Sequence, residues 1–394
     1  MINLNISDYI YIIMSEYIEE QAEISLPKWN PLIDSQGKNK GILKFTMSNT
    51  NVSIANGLRR TILSDVPSYA LGDFNMIRNT TQFNNQILEQ RLGCIPIHID
   101  PATGYDGVKE LEVVIDLENN TDQLVYITTE DIRIKNKSID KWASETEQRK
   151  IFPPNPYTND YILISRLKSK ISSEIPGEIL KLTAKFKLVK PSESGAYNVV
   201  SNCSYGFTLD KVANHQKKLE YETELQDKDL DQKDIDARLE NWDNHDYKRH
   251  FIEGSFDFSV EGVGHLKESD IIKTACNIIN MGLQNIIDNK APHTWEFKKE
   301  NVAIKNSYDI IIQNVDYTLG KIIEYVIFTE YFNNQSVLTY SGFIKPHPHD
   351  DESVIRIAFK KDKDTTEENV EAILVAACKI GQRIYSSIYG DFDN

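Results

Sequence analysis

Metal-assisted chemistry on phosphates needs several carboxylates that converge on one cation. The chain offers two acidic clusters, Asp350-Asp351-Glu352 just after Pro348, and Asp391 with Asp393 at the extreme C-terminal end. A turn and a chain end give no convergence, so both read as solvated acidic surface. His347-Pro348-His349 presents two imidazoles two residues apart in a Pro-flanked loop with no further ligand nearby, which reads as a structural turn. His245 and His250 stand with Asp243 and Asp246 inside a charged run and read as surface. No GxSxG, GxxxxGK[ST] or HExxH occurs, so the common hydrolase, P-loop and metalloprotease chemistries have no foothold, and neither a cofactor nor a metal is expected. The adjacent pair Arg59-Arg60 is the remaining chemical feature. Out of context it is ordinary surface charge, but a guanidinium fork suits bidentate pairing with carboxylates and carbonyls at an interface.

The elements around that pair follow from periodicity. Leu43, Phe45 and Met47 alternate with polar residues as a half-buried strand. Ile54, Leu58 and Ile62 then form a helical stripe, with Asn56, Arg59 and Arg60 pointing elsewhere. Asn51 or Ser53 can cap this helix and Pro67 enforces its stop. Phe74 and Met76 predict a returning strand, and 84–92 a short helix. Over 98–210 the alternation of Leu111, Val113, Ile115 and Leu117, and of Leu180, Leu182, Ala184, Phe186 and Leu188, predicts a mostly β inserted domain. The charge-dense stretch 211–249 predicts a solvated helix or arm, so that the insert with its arm spans 98–250. Phe256, Phe258 and Val260 mark the return strand, and 268–288 a long helix with Ile271, Ile272, Ala275, Ile278, Ile279, Gly282, Leu283 and Ile286 on an apolar face wider than one small module needs.

A polar connection is predicted over 289–307, and the pattern then repeats over 308–394. Tyr308, Ile310 and Ile312 mark a strand. Asp316 caps a helix with Leu319, Ile322, Ile323 and Val326 on one face. Ile355, Ile357 and Phe359 mark a further strand, and Thr365 with Glu368 has capping-box spacing ahead of a long helix bearing Val370, Ile373, Leu374, Ala377, Ile380 and Ile384. The expected fold is therefore α+β. Two similar modules, 41–97 with 251–288 and 308–394, pair within one chain, with Ile54, Leu58, Ile62, Ile271, Ala275, Ile279, Leu319, Ile323, Ile373, Leu374 and Ala377 as the core of the pair. Each fully buried Ile or Leu contributes roughly 1.5–3 kcal/mol, so covering these faces is the main source of cohesion.

Bulk properties narrow the partners. At 394 residues, with 40% hydrophobic and 26% charged residues, the chain has room for two or three globular domains. A formal net charge of −15 works against binding duplexes, because non-specific affinity comes from Lys and Arg neutralising phosphates. Cys94, Cys203, Cys276 and Cys378 form no CxxC pair, so neither a disulfide framework nor a zinc knuckle is predicted, and a reducing compartment is the simplest home. The first 40 residues hold an apolar cluster at 9–14 without a basic n-region or a long apolar core. They are expected to be a loosely packed extension, neither signal peptide nor membrane span.

Asn51 to Ile97 resembles the assembly core shared by the bacterial RNA polymerase alpha subunit, its archaeal D-type counterpart and the third-largest subunit of eukaryotic RNA polymerase II. The marks are Asn56, Leu58, Arg59, Arg60 and Pro67 in a first helix and its stop, then Arg91, Leu92, Gly93, Ile95 and Pro96 closing a second. Residues 315–345, running into Pro346-His347-Pro348, resemble the small partner, the archaeal L-type or eleventh eukaryotic subunit, through Asp-x-Thr-Leu-Gly and an aromatic-rich strand. Having both on one polypeptide is similar to the fused arrangement of some large DNA viruses. The resemblance implies a non-catalytic platform on which the second-largest and largest catalytic subunits and small polymerase subunits assemble. Arg59, Arg60, Asn56 and Arg91 would face a large subunit, DNA and RNA would be met only through the complex, no membrane would be involved, and the location would be the virion and host cytoplasm, or otherwise nucleus or cytoplasm. The Cys-rich metal loop of some relatives has no counterpart in spacing. The rival readings are a free-standing nucleic-acid-binding regulator on the same fold, against which net acidity and the lack of a helix-turn-helix or zinc finger speak, and an enzyme with a site in the inserted domain, for which no motif speaks.

Overall fold

In the computed structural model of the protein, the residues described are 23–25, 42–101, 105–172, 176–228, 230–299 and 304–392. Apart from 23–25, the expected extension over 1–40 lies outside them.

In chain order the elements are β1 (Glu23–Ser25), β2 (Ile42–Ser48), α1 (Val52–Ser64), β3 (Ser68–Asn79), α2 (Asn85–Gly93), α3 (Tyr105–Lys109), β4 (Leu111–Glu118), β5 (Val125–Thr128), β6 (Arg133–Asn136), β7 (Lys141–Trp142), α4 (Glu145–Ile151), β8 (Leu163–Leu167), β9 (Ile179–Val189) and β10 (Val200–Leu209). There follow α5 (Lys211–Gln226), α6 (Gln232–Asn244), β11 (Phe251–Gly262), α7 (Glu268–Ile287), β12 (Trp295–Lys299), β13 (Ser307–Gln313), α8 (Tyr317–Ile327), β14 (Leu338–Ile344), β15 (Glu352–Phe359) and α9 (Glu367–Asp391). Among the described residues these form two compact units. The first takes those up to Thr61, Asn202–Val260 and those from Ile272 onward; the second takes Ile62–Ser201 and Glu261–Ile271.

The first unit contains one plan twice. Its two four-stranded sheets run β1-β2-β11-β10 and β12-β13-β15-β14, so strands with the same place in each module occupy the same place in each sheet. In both, a capped helix follows the second strand and a long helix follows the last. Four details differ from expectation. Residues 62–97 and 261–271, expected in the first module, belong to the second unit, because β3 pairs with β9 and α2 buries Leu88 and Leu92 in the core of that sheet. Val200–Leu209, grouped by its sequence with the insert, is the edge strand of the first sheet. Trp295–Lys299, inside the expected connection, is an edge strand paired antiparallel with β13, Phe297 facing Ile310. The charge-dense 211–249 divides into helices α5 and α6, anchored by buried Leu225, Ile235 and Trp242 and joined by the Lys218–Asp243 ion pair.

Local chemistry sets the element ends. Asn51 Oδ1 accepts from the Ser53 amide at 2.9 Å, capping α1, and α1 ends at Ser64, three residues before Pro67. Asp316 Oδ1 accepts from the Thr318 amide at 2.9 Å, capping α8. The cap of α9 is Thr366, one residue later than expected. Thr366 Oγ1 accepts from the Asn369 amide, whereas the Thr365 hydroxyl donates to the Lys361 carbonyl and closes the preceding turn. Asp309 lies opposite Arg356 in the β13–β15 register, and two bonds of 2.6 Å join carboxylate and guanidinium in a fork.

The second unit is built on the five-stranded sheet β3-β9-β4-β6-β7 with the β5-β8 pair. Leu88 and Leu92 of α2 bury into its core with Ile115, Ile134, Leu167 and Leu182. Asn119 is its polar node, donating to the Gln123 and Leu167 carbonyls and accepting from the Thr121 amide.

Of the residues expected to form the core, ten are buried and Leu319 is half-buried. Leu58 has no exposed surface. Leu58→Ala is therefore expected to remove about 2–5 kcal/mol of stability, through lost burial and the cavity left behind, measured by urea unfolding.

Candidate functional site

A helical repeat of about 3.6 residues puts Ile54 and Leu58 on the buried side of α1 and leaves Asn56, Arg59 and Arg60 half-buried beside it. Asn56 Oδ1 accepts from Arg59 Nε at 3.0 Å and Nη2 at 2.9 Å, one turn apart on the same helix. Arg60 reaches the second module. Its Nε donates to Thr318 Oγ1 and its Nη2 to Asp316 Oδ2, both at 2.9 Å, so the guanidinium clasps the cap of α8. The ion pair is largely solvated, with side chains 41% and 49% exposed, and is worth at most about 1 kcal/mol. Arg91 belongs to the second unit. There its Nε and Nη2 donate to the Ile164 and Leu163 carbonyls at 2.9 and 2.7 Å, and its guanidinium lies 5.5 Å from the Phe83 ring centroid. It borders a cavity of about 370 Å³ with Cys94, Ile95, Pro96 and residues 162–164. Arg59 and Arg60 thus share one helix, while Arg91 holds the start of β8.

Beneath the arginines, α1 and α8 pack antiparallel: Gly57 meets Ile322, and Arg60 meets the start of α8. A Cβ at position 57 would lie 2.9 Å from Ile322 Cδ1 and 2.7 Å from the hydroxyl of Tyr385. That hydroxyl, on α9, donates to the Ile54 carbonyl at 2.9 Å. The long helices α7 and α9 also pack antiparallel. Asn280 bonds Ser386, Gln382 bonds both the Asn280 carbonyl and Gln284, and Leu283 packs on Gly381, where a Cβ would stand 3.0 Å from Leu283 Cδ1. Gly282 is tight against Leu319 in the same way, at 2.9 Å. Gly57, Gly381 and Tyr385 were not among the expected core residues, whereas Gly282 was read on the apolar face of its helix. For the two missed glycines the signal was a glycine inside an apolar helix, a choice that costs about 1 kcal/mol relative to Ala and asks for a packing reason.

Burial governs the titration of this pair of modules. It raises the Tyr385 phenol well above its ordinary value, with the neighbouring Cys276 adding to the effect, so the hydroxyl remains a donor. Burial also raises the thiols of Cys276 and Cys378, and pushes Cys203 up to about 12 against the opposing influence of Arg59. Such thiols fit packing and not nucleophilic chemistry. Asp350, Asp351 and Glu352 are exposed, and His347 Nδ1 accepts from the His349 amide within the turn. Among the described residues no group of three or more His, Cys, Asp or Glu side chains is placed to hold a metal, and no helix is long and apolar enough to cross a membrane.

A four-stranded α+β module that occurs twice and joins its copies through two antiparallel helix pairs defines a class of dimerisation protein. The chain belongs to the RNA polymerase Rpb3/Rpb11 dimerisation domain family, whose profile matches residues 44–282. It is 23% identical over 293 residues to DNA-directed RNA polymerases I and III subunit rpac1 of Dictyostelium discoideum, covering 62% of this chain and 80% of that protein. Identity to DNA-directed RNA polymerase subunit Rpo3 of Methanosphaera stadtmanae is 24% over 262 residues, 62% of this chain and 93% of that one. Rpo3 of Pyrococcus furiosus is 37% identical over 93 residues, 23% of this chain and 35% of its own.

Tyr385→Phe isolates the polar link between α9 and α1. It keeps the ring and deletes one buried hydrogen bond, so a loss of about 0.5–1.5 kcal/mol is expected in urea unfolding, with the slope unchanged.

Proposed function

We propose that this chain is a non-catalytic assembly subunit of a multisubunit DNA-directed RNA polymerase, in which third-subunit-like and eleventh-subunit-like modules are fused. The observation that carries the reading is the repeat itself: two sheets of identical strand order, joined through both helix pairs, in a chain whose first module and insert match the family. The named polymerase subunits among its relatives support the same reading. Fusion makes the pairing intramolecular, replacing a bimolecular encounter by an effective concentration on the order of millimolar. The partners are the second-largest and largest catalytic subunits and small polymerase subunits; nucleic acid is met through them. A viral source, with the complex in the virion and host cytoplasm, belongs to this proposal and rests on the fused arrangement.

Arg59, held by Asn56, and Arg60 form the docking edge, and Arg91 is a second contact. Arg60→Glu and Arg59→Glu are expected to leave the isolated chain folded, since each removes only half-exposed bonds, yet to prevent copurification with the second-largest subunit, because charge reversal at an interface costs several kcal/mol. An intact complex from the Arg59 variant, whose lost bonds to Asn56 lie within α1, removes this edge from the docking surface.

The fusion has its own test. Cutting near Lys299 is expected to yield two fragments that co-elute at micromolar concentration, because cohesion resides in helix packing of the kind obligate pairs bury. Fragments that separate as soluble monomers contradict a fused pair.

A further inference from the structure

The paired helices reveal where the two-fold relation of the modules passes through the chain. The caps of α1 and α8 are Asn51 and Asp316, and six residues beyond each cap stand Gly57 and Ile322. In a two-fold pairing, residue i of one copy meets j of the other while j meets i, so a position that meets its own counterpart lies on the axis. Gly57 and Ile322 do meet, with a Cβ at 57 only 2.9 Å from Ile322 Cδ1 and 3.3 Å from Cγ1. The long helices match in the position of their glycines, though not in the residue that fills each. Gly282 is the fifteenth residue of α7 and Gly381 the fifteenth of α9, and both are tight positions filled by Leu319 and Leu283 respectively. The nineteenth residues, however, differ: Ile286 in α7 and Tyr385 in α9.

We infer that the axial pair, the smallest side chain facing an isoleucine, determines which modules join: it favours the union of unlike modules and opposes union of either with a copy of itself. Two first modules would place Gly57 against Gly57, leaving the isoleucine-sized space empty, and Ile286 in place of Tyr385 would leave the Ile54 carbonyl without its phenolic donor. Two second modules would set Ile322 against Ile322 in a space that is already too tight for one added Cβ. Interiors are packed closely enough that both errors are felt, a void on one side and overpacking on the other. The inference rests on helix geometry and stands whether or not the polymerase reading does.

Single substitutions build each like-with-like axis inside the full chain. Gly57→Ile reproduces the axis of two second modules, Ile322→Gly that of two first modules, and the exchange of both restores an unlike axis with its sides reversed. All are compared in the Tyr385→Phe background, so that the hydroxyl 2.7 Å from position 57 does not enter the comparison. Each single variant is expected to shift the folding equilibrium toward the unfolded chain at least 100-fold, and the exchanged chain to recover at least tenfold relative to the product of the two single effects. If the large substitutions prevent folding, the cycle of Gly57→Ala with Ile322→Ala answers the same question. Gly57→Ala is expected to cost at least tenfold when it faces Ile322, despite alanine's better helix propensity, and to be neutral or favourable when it faces Ala. Effects that multiply without recovery in either cycle overturn the assignment of this position as the selector of partners.

Discussion

The whole first unit depends on how closely α1 can approach α8 and α9. At Gly57 the helix surface is bare backbone, and into that gap come the Ile322 side chain and the Tyr385 hydroxyl, from two different elements of the second module. The same device recurs where Leu283 meets Gly381 and Leu319 meets Gly282. A glycine inside a helix sacrifices about 1 kcal/mol of propensity, whereas full burial of an isoleucine or leucine, as of Ile322 and Leu283, returns roughly 1.5–3 kcal/mol. The exchange is favourable only while the second module is in place. Each module thus carries residues that make sense solely in the presence of the other, which is the physical content of an obligate pair.

The surface over this joint has a different character. Arg59 is held by Asn56 within its own helix, while Arg60 reaches across to the cap of α8. Two neighbouring guanidinium groups are thereby presented in fixed attitudes at low cost in side-chain entropy, as an interface with carboxylates or carbonyls requires. The net acidity of the chain and these two oriented arginines fit the protein docking proposed above.

Much of this is legible in the sequence. The stripe of Ile54, Leu58 and Ile62, the surplus apolar face of the long helices, and the strand–helix–strand–helix recurrence follow from period and spacing alone. What periodicity does not supply is partnership. Cys203, Tyr205 and Phe207 alternate as a strand must, but nothing in a short alternating run says which sheet receives it, and β10 groups by sequence with its neighbours in the insert. Trp295 and Phe297 are likewise hidden in a segment whose polarity suggests a connection, although Lys and Glu around them are what an edge strand carries. The cap of α9 shifts by one residue because two threonines adjoin and only the turn before them decides which hydroxyl is spared. The arginines stand out by resemblance; Gly57 is conspicuous as a glycine inside an apolar helix, but what fills its gap shows only once its neighbours are known.

The placement of the cysteines gives the pair of modules an internal clock. Cys276 sits on the long helix of the first module and Cys378 on that of the second, both wholly shielded, with thiols that burial keeps protonated, while Cys94 in the second unit is exposed. A thiol reagent therefore finds the Cys94 sulfur at once and reaches Cys276 and Cys378 only when the structure around the long helices opens. With reagent in excess, so that modification outpaces reclosing, the late reaction reads the opening rate of this region; with little reagent it reads the open population, and no label has to be added.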